Sequence, residues 1–245
     1  MAKLYFRYGA MNSGKSTALM QVAHNYEEQG MRVLILKPQV DTKGGGELVS
    51  RLGVRRRADL LIPPEVDVFE AVRAASAGEQ PLACVLCDES QFFTPQQADE
   101  LFMVTVDLNI PVICYGLRSD FSLKGFPGST RLLELAHTIE EMKTICTCGR
   151  KATCNCRRVN GEFVFEGEQS PSIWKTMCST SACAPSAISR HGGRFTPNGT
   201  HSKCRSPAGT GALSCVRSQI SQKIFTVFRA LPSRAALFFA RPLLK

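Results

Sequence analysis

Short runs of apolar and β-branched residues alternate with amphipathic stretches along residues 1–143. This alternation is typical of a parallel sheet covered by helices, because strands buried on both faces read as continuous apolar runs. Strands are predicted at four such runs: Lys3–Tyr8, Arg32–Lys37, Ala83–Cys87 and Val112–Tyr115. Helices are predicted where apolar residues recur at helical spacing: Ser16–Gln29, Pro95–Asn109 and Ser129–Lys143. The segment Val40–Gly53 is rich in glycine and polar residues and is predicted to form a mobile loop.

A glycine-rich segment joins the first predicted strand to the first predicted helix. It fits the P-loop pattern G-x-x-x-x-G-K-[ST] and consists of Gly9, Ala10, Met11, Asn12, Ser13, Gly14, Lys15 and Ser16. Gly9 and Gly14 allow the backbone to curl so that its N–H groups face a triphosphate. Lys15 is expected to neutralise the β and γ phosphates, and the Ser16 hydroxyl to ligate Mg²⁺. The segment therefore predicts a site for a nucleoside triphosphate.

Two carboxylates follow the third predicted strand. In P-loop proteins an acid at the end of a neighbouring strand completes the magnesium site, and Asp88 has this position. Glu89 is placed to accept a proton from an attacking hydroxyl or water. Cys84 and Cys87 lie three residues apart in the strand, so their side chains point to opposite faces. We interpret them as buried structural cysteines and not as metal ligands.

Polar and aromatic residues stand at the carboxyl ends of two predicted strands, the edge at which open α/β sheets bind ligands. Ser90–Phe93 comes directly after Glu89, and Gly116–Phe121 follows the next strand. Aromatic side chains at this edge can stack on a nucleobase, which contributes about 1–3 kcal/mol per base. A single phenylalanine is more often part of a core, so this interpretation needs the other motifs beside it.

These segments occur together and in order, and through them residues 3–169 resemble the type II thymidine kinases of many bacteria and of the vertebrate cytosol. The resemblance rests on Tyr8–Thr17, Lys37–Pro38, Asp41–Lys43, Asp88–Phe93, Tyr115–Phe121 and Gly161–Gln169. It implies a P-loop domain with a parallel sheet flanked by helices, followed by a small zinc-binding domain. It also implies ATP-dependent phosphorylation of the 5′-hydroxyl of thymidine or deoxyuridine, and assembly into a homotetramer.

The resemblance assigns roles in phosphoryl transfer to individual residues. Glu89 matches the catalytic base, and Asp88 matches the acid that organises Mg²⁺ together with Ser16. Besides residues 9–16, the residues that match the ATP site are Asp88, Glu89, Ser90 and Gln91.

The resemblance also implies residues for the nucleoside. Phe92 and Phe121 match side chains that pack around thymine. Asp41 and Lys43 match an Asp-x-Arg pair near the transferred phosphate, with lysine in place of arginine. Lysine keeps the positive charge but lacks the planar two-pronged donor, so the expected effect is on orientation more than on binding.

The cysteines of the second domain depart from the family pattern. Cys146 and Cys148 match the first half of the zinc site in a short C-x-C form, whereas relatives supply two further ligands downstream, often as Cys-x-x-Cys. Structural zinc needs four ligands. The downstream cysteines of this chain lack that spacing: Cys178, Cys183, Cys204 and Cys215. A local cluster is the alternative: Cys146, Cys148, Cys154 and Cys156.

The charge of the chain divides at Gln169. The 245 residues carry a formal net charge of +9, which by itself favours a polyanionic partner. Up to Gln169 there are 19 Lys and Arg against 21 Asp and Glu, whereas the last 76 residues contain 11 Lys and Arg and no acid. The basic residues of this last part occur singly. Nucleic acid is therefore not expected as a partner.

A change of reading frame would explain why the family pattern stops after Gln169. When Ser170–Cys178 is read one base earlier, Trp174-Lys175 must encode Glu and Met177-Cys178 must encode Val. With allowed codon choices, the shifted reading continued beyond Cys178 can give a family-like sequence that includes the absent Cys-x-x-Cys. We predict that one lost base put residues 170–245 out of frame; sequencing the gene across codon 169 tests this. A genuine basic extension, disordered or binding nucleic acid, is the alternative.

The predicted organisation has three parts. Residues 1–143 form the P-loop kinase domain, 144–169 begin the small zinc domain, and 170–245 are an aberrant, basic, serine-rich and poorly ordered tail. Such a chain is expected to bind ATP but to phosphorylate thymidine weakly or not at all. Two other functions stay open: a P-loop ATPase whose basic tail binds nucleic acid, and a zinc-bound scaffold without enzymatic activity.

Compartment and metal content follow from the remaining composition. No basic stretch precedes an apolar run at the N-terminus, and no apolar run approaches about 18 residues, so a soluble cytoplasmic protein without membrane contact is expected. Eleven cysteines without a secretion signal favour reduced thiols or metal ligands over disulfides.

Overall fold

The computed structural model describes residues 1–39, 46–50, 53–78, 80–159, 162–164 and 178–185. These residues all belong to one compact unit, Met1–Cys204. Asp41 and Lys43, predicted to lie near the transferred phosphate, fall outside the described residues, as does most of the predicted tail.

Strands and helices both occur along the chain up to residue 145, with a run of four strands after the first helix. In chain order they are β1 (Leu4–Tyr8), α1 (Lys15–Glu28), β2 (Arg32–Pro38), β3 (Glu47–Val49), β4 (Arg55–Arg57), β5 (Leu60–Ile62), α2 (Val68–Ser76), β6 (Leu82–Cys87), a 3₁₀ turn (Ser90–Phe92), α3 (Pro95–Asp107), β7 (Val112–Gly116), α4 (Pro127–Leu135), β8 (Thr138–Glu141) and β9 (Thr144–Ile145). The chain continues with β10 (Lys151–Ala152), β11 (Cys154–Val159), β12 (Glu162–Val164) and β13 (Cys178–Cys183).

Six of these strands form one parallel sheet with the order β5-β2-β6-β7-β1-β8. One apolar cluster joins the sheet to α2, α3 and α4, through residues such as Val72, Leu101 and Leu132. A second cluster on the other face joins it to α1 through Leu19 and Ala23. The predicted α/β class, a parallel sheet flanked by helices, is confirmed.

The helix predicted at Ser129–Lys143 is wrong in its second half. The helix α4 begins earlier, with Pro127 in its first turn, and it ends at Leu135 because Ala136 takes an extended conformation. Residues Thr138–Glu141 then form β8, which pairs in parallel with β1. Pairing with the open edge of β1 and the β-branched residues Thr138 and Ile139 favour a strand over a continued helix.

The loop predicted at Val40–Gly53 is also wrong in part. Glu47–Val49 forms β3 and pairs antiparallel with β4, with Leu48 fully buried beneath the hairpin. Gly53 occupies the turn with φ of 87°, a conformation that favours glycine. Burial of the Leu48 side chain therefore gives structure to part of a segment that the composition predicts to be a loop.

The described residues between 144 and 185 form small antiparallel sheets. A hairpin joins β9 to β10, and β11 lies between β12 and β13. Strand β13 belongs to the segment that the reading-frame prediction places out of frame; that prediction stays a prediction. Within the described part of the chain no helix has both the length and the apolar character needed to cross a membrane.

Candidate nucleotide and phosphoryl-transfer site

The P-loop lies where the sequence predicts, between the end of β1 and the start of α1. Its two glycines are required for different reasons. A Cβ at Gly9 would lie 2.5 Å from Ser13 Oγ and 2.6 Å from the Met142 carbonyl oxygen, so the loop is too close-packed for a side chain. Gly14 has φ of 81°, a left-handed conformation that costs other residues free energy.

Lys15 folds back over the loop that precedes it. Its Nζ donates to the Ala10 carbonyl oxygen at 3.0 Å and to the Gly9 carbonyl oxygen at 3.3 Å, and it contacts Ser13 Oγ at 3.3 Å. The ammonium group therefore lies along the curve of the backbone that is expected to surround the phosphates.

Ser16 and Asp88 come together from α1 and the end of β6. Ser16 Oγ lies 3.2 Å from Oδ2 and 3.3 Å from Oδ1 of Asp88. A hydroxyl and a carboxylate beside a P-loop are the oxygen donors that Mg²⁺ prefers, so these residues fit a magnesium site. Both residues predicted for magnesium are thus adjacent, although their role as ligands stays a prediction.

The environment of Asp88 favours its protonated form. Asp88 is 4% exposed. Burial, followed by the negative charge of Glu89, raises the pKa of the Asp88 carboxyl to about 6. Hydrogen bonds from the Glu89 backbone and the Ser16 hydroxyl, and the charge of Lys37, oppose this shift. A cation bound at this carboxylate would offset the unfavourable burial of its charge.

Glu89 has an unusual backbone conformation directly after Asp88. Its φ of 50° and ψ of 38° lie in the left-handed region, which is uncommon for a residue with a side chain. Its Oε2 accepts a hydrogen bond from Gln91 Nε2 at 2.6 Å. Strained residues of this kind are concentrated at active sites, so the conformation supports the predicted role of Glu89.

Two residues predicted for the ATP site are buried beneath it. Ser90 is 0% and Gln91 2% exposed. A Cβ at Gly116 would lie 2.6 Å from Ser90 Oγ, which shows how closely the end of β7 packs against the turn Ser90–Phe92. Direct contact of these two side chains with ATP stays a prediction, and their described position is that of a support for Glu89.

The two phenylalanines predicted to pack around thymine have different environments. Phe92 is 43% exposed and meets Phe126 edge-on, with ring centroids 5.7 Å apart. Phe121 is 8% exposed, and the Arg157 guanidinium lies 5.1 Å from its ring centroid. Phe92 thus offers an accessible aromatic surface, whereas Arg157 of β11 covers one side of Phe121.

Asn155 is a candidate functional residue that the sequence analysis missed. Its Oδ1 accepts from Met11 N in the P-loop, and its Nδ2 donates to the Ser119 carbonyl oxygen, each at 2.8 Å. Asn155 lies between Cys154 and Cys156, two candidate metal ligands. Its partners Met11 and Ser119 are 144 and 36 residues away. No local sequence signal indicates such distant contacts.

The cysteines of the main sheet are buried, as predicted. Cys84 and Cys87 are both 0% exposed. Burial raises the pKa of the Cys84 thiol to about 12, so it stays protonated at neutral pH.

The local four-cysteine zinc cluster is not supported. Cys146 is buried among alanines, including Ala10 and Ala152, whereas Cys154 and Cys156 pack with Cys183 beside Leu123. Among the residues that the structure describes, no three His, Cys, Asp or Glu side chains come close enough together to hold a metal ion. The described cysteines therefore do not fit zinc. Cys204 and Cys215 lie outside the described residues.

Cys146 nevertheless has a thiol suited to ionisation. Burial opposes ionisation, but hydrogen bonds from the backbones of Cys148 and Ala184 and from the Cys148 and Thr147 side chains lower the pKa of Cys146 to about 7. Cys148 is exposed at the turn, which Gly149 closes with φ of 79°. One thiol with a lowered pKa and an exposed neighbour does not make a zinc site, which needs four ligands.

Comparison with known proteins identifies the family. Residues 2–179 match the family model described as "Thymidine kinase". A thymidine kinase of Ruegeria pomeroyi is 47% identical over 171 residues, an alignment that covers 69% of this chain and 85% of that protein. A thymidine kinase of Lactobacillus acidophilus is 46% identical over 176 residues, covering 69% and 88%, and one of Streptococcus pyogenes serotype M6 is 47% identical over 171 residues with the same coverage. The chain belongs to the thymidine kinase family.

Proposed function

We propose that the site of this chain is built to transfer the γ-phosphoryl group of ATP to the 5′-hydroxyl of thymidine or deoxyuridine. The observation that carries the proposal is the contact of Ser16 in the P-loop with Asp88, directly before the strained Glu89. Membership of the thymidine kinase family supports the choice of nucleoside.

The P-loop residues bind and orient the triphosphate in this proposal. Backbone N–H groups at the start of α1 face the phosphates, and Lys15 moves from the carbonyl oxygens of Gly9 and Ala10 to the β and γ phosphates. Ser16 and Asp88 would hold Mg²⁺, which supplies charge neutralisation at the phosphates when bound.

Glu89 acts as the general base. Glu89 follows Asp88 at the carboxyl end of β6. The P-loop follows the carboxyl end of β1, so both lie at the same edge of the parallel sheet. There Glu89 accepts the proton of the nucleoside 5′-hydroxyl as the oxygen attacks the γ-phosphorus. Gln91 donates to Oε2 of Glu89, so Oε1 is the oxygen that accepts this proton. Phe92 supplies the accessible aromatic surface for the base, and Phe121 with Arg157 forms the wall behind it.

The region after Gln169 limits this activity. The resemblance implies that zinc ligands and a loop that closes over thymine belong there, and the described residues of this chain do not gather a zinc site. Poor closure admits water and weakens nucleoside binding. We therefore propose ATP binding together with weak or no thymidine phosphorylation. A homotetramer, which the resemblance implies, and the cytoplasmic location expected from the sequence belong to the same proposal.

A chromatographic assay for thymidine monophosphate, with ATP, Mg²⁺ and thymidine, tests the proposal. It is run on this chain and on a variant in which one base is restored after codon 169. Formation of the monophosphate by the restored variant and its loss in Glu89→Gln are expected. Glu65→Gln is the matched control, because Glu65 is an exposed carboxylate outside the predicted site. If neither protein forms the monophosphate, or if single-stranded DNA rather than thymidine stimulates ATP hydrolysis, the proposal is wrong.

A further inference from the structure

Gln91 is a buried amide with a defined partner on each side. Its Oε1 accepts from the backbone N–H of Leu117 at 3.0 Å, and its Nε2 donates to Glu89 Oε2 at 2.6 Å. The residue is 2% exposed. A buried amide with both ends hydrogen-bonded is held in one orientation, because loss of either bond leaves an unsatisfied polar group.

The backbone of Leu117 determines which end of the amide faces Glu89. A backbone N–H only donates, so the amide oxygen must face Leu117 and the NH₂ group must face the carboxylate. The opposite orientation would set two donors against each other at Leu117 and two acceptors against each other at Glu89. Leu117 is itself fixed, since its carbonyl oxygen accepts from Ser129 Oγ at 2.6 Å and Ser129 is fully buried.

Close packing keeps this arrangement rigid. A Cβ at Gly116 would lie 3.0 Å from Gln91 Oε1 and 3.1 Å from Gln91 N, so the strand end and the turn are in tight contact. The backbone of Glu89 has a left-handed conformation with φ of 50°. This backbone conformation sets the direction of the Glu89 side chain. The conformation persists only where surrounding contacts hold it.

We propose that Gln91 is a positioning residue that holds the Glu89 carboxylate in its reactive orientation. This inference rests on the proposed function of Glu89 as the base. The chain of hydrogen bonds from Ser129 through Leu117 and Gln91 to Glu89 ties the base to the segment that leads to Phe121. The nucleoside and the Glu89 carboxylate thereby share one rigid support. Such a shared support is how enzymes keep reacting groups aligned.

Two substitutions at Gln91 separate positioning from simple structural support. Gln91→Glu keeps an oxygen acceptor for Leu117 but replaces the NH₂ donor with a second carboxylate oxygen beside Glu89. Gln91→Met keeps the approximate volume and removes both hydrogen bonds. Steady-state kinetics in the base-restored chain and thermal unfolding are measured for both variants, with Gln96→Glu and Gln96→Met as controls. Gln96 is a matched control because its Nε2 donates to Glu100 Oε1 on the exposed surface of α3.

Both Gln91 variants should lower kcat by about 10- to 100-fold while the KM values for ATP and thymidine change by less than about three-fold. The Gln96 variants should behave like the unsubstituted chain. If Gln91→Glu keeps normal kcat while Gln91→Met is impaired, Gln91 only anchors Leu117 and the inference is wrong. If Glu89→Gln itself retains full activity, the proposed role of Glu89 fails, which is a separate result.

Nuclear magnetic resonance gives a readout that does not depend on turnover. The Gln91 side-chain NH₂ signal, identified by its absence in Gln91→Met, should exchange slowly with solvent. In Glu89→Ala its exchange should approach that of the exposed Gln96 amide. Equal and fast exchange of Gln91 and Gln96 in the unsubstituted chain would overturn the inference even if the turnover is too slow to measure.

Discussion

Asn155 joins the P-loop to the segment that follows β7. Its Oδ1 accepts from Met11 N and its Nδ2 donates to the Ser119 carbonyl oxygen, both at 2.8 Å, and the residue is 4% exposed. Strand β11 therefore contacts both the P-loop and the segment that follows β7 through one side chain. The P-loop is therefore not independent of the residues after 143.

Asn155→Ala should weaken ATP binding and lower the melting temperature. Truncation leaves the Met11 N–H and the Ser119 carbonyl oxygen without their partner, and each such buried group costs about 1–3 kcal/mol. We expect the Kd for ATP, measured by calorimetry, to rise by about 5- to 50-fold. Asn25→Ala is the control, since Asn25 accepts from Gln21 on the exposed face of α1. Unchanged ATP affinity in Asn155→Ala would show that the contact is incidental.

The fold could be predicted from the sequence where a local residue pattern lies beside a functional motif. The strands that carry the P-loop and Asp88 are mostly apolar runs, and the glycine pattern indicates both the loop and the start of α1. The helix predicted through Lys143 fails because β8 exists only through its pairing with β1. Asn155 was missed for the same reason, since its role depends on partners distant in sequence. Local propensity cannot report such tertiary contacts.

Asp88→Asn should stabilise the metal-free protein at neutral pH. The pKa of Asp88 is raised from the usual 3.8 to about 6, so the folded state holds this proton more tightly than the unfolded state. The free energy of unfolding therefore falls as the pH rises from 3.8 to about 6, and above this window the cost is fully present. Removing the charge should recover about 1–3 kcal/mol at neutral pH.

Chemical denaturation in the presence of a chelator, from acid to neutral pH, measures this effect. The Asp88→Asn curve should be flatter than that of the unsubstituted chain between the two pKa values, and ATP binding should lose its dependence on Mg²⁺. Asp107→Asn serves as the control, because Asp107 is exposed at the end of α3. A lower stability of Asp88→Asn at neutral pH would contradict the prediction.

Gly9→Ala should abolish ATP binding with a large loss of stability. The added Cβ would stand 2.5 Å from Ser13 Oγ and 2.6 Å from the Met142 carbonyl oxygen, and the latter is backbone that cannot easily move. A destabilisation of about 2–4 kcal/mol is expected. In Gly30→Ala, where φ is 70° but no atom lies within 4 Å, only about 1 kcal/mol should be lost and ATP binding should persist. Thermal unfolding and nucleotide titration of both variants test the difference.

Restoring one base after codon 169 should raise thymidine phosphorylation and create a zinc site. The described cysteines of this chain form no group that could hold a metal. The restored frame is predicted to supply a Cys-x-x-Cys that, with Cys146 and Cys148, would complete the four thiolates that structural zinc needs. The backbone hydrogen bonds that lower the pKa of Cys146 to about 7 prepare that thiol for ligation. Metal analysis should find about one zinc per restored chain and less in the present one. Equal zinc content and equal activity of the two proteins would show that residues 170–245 serve the kinase as they stand.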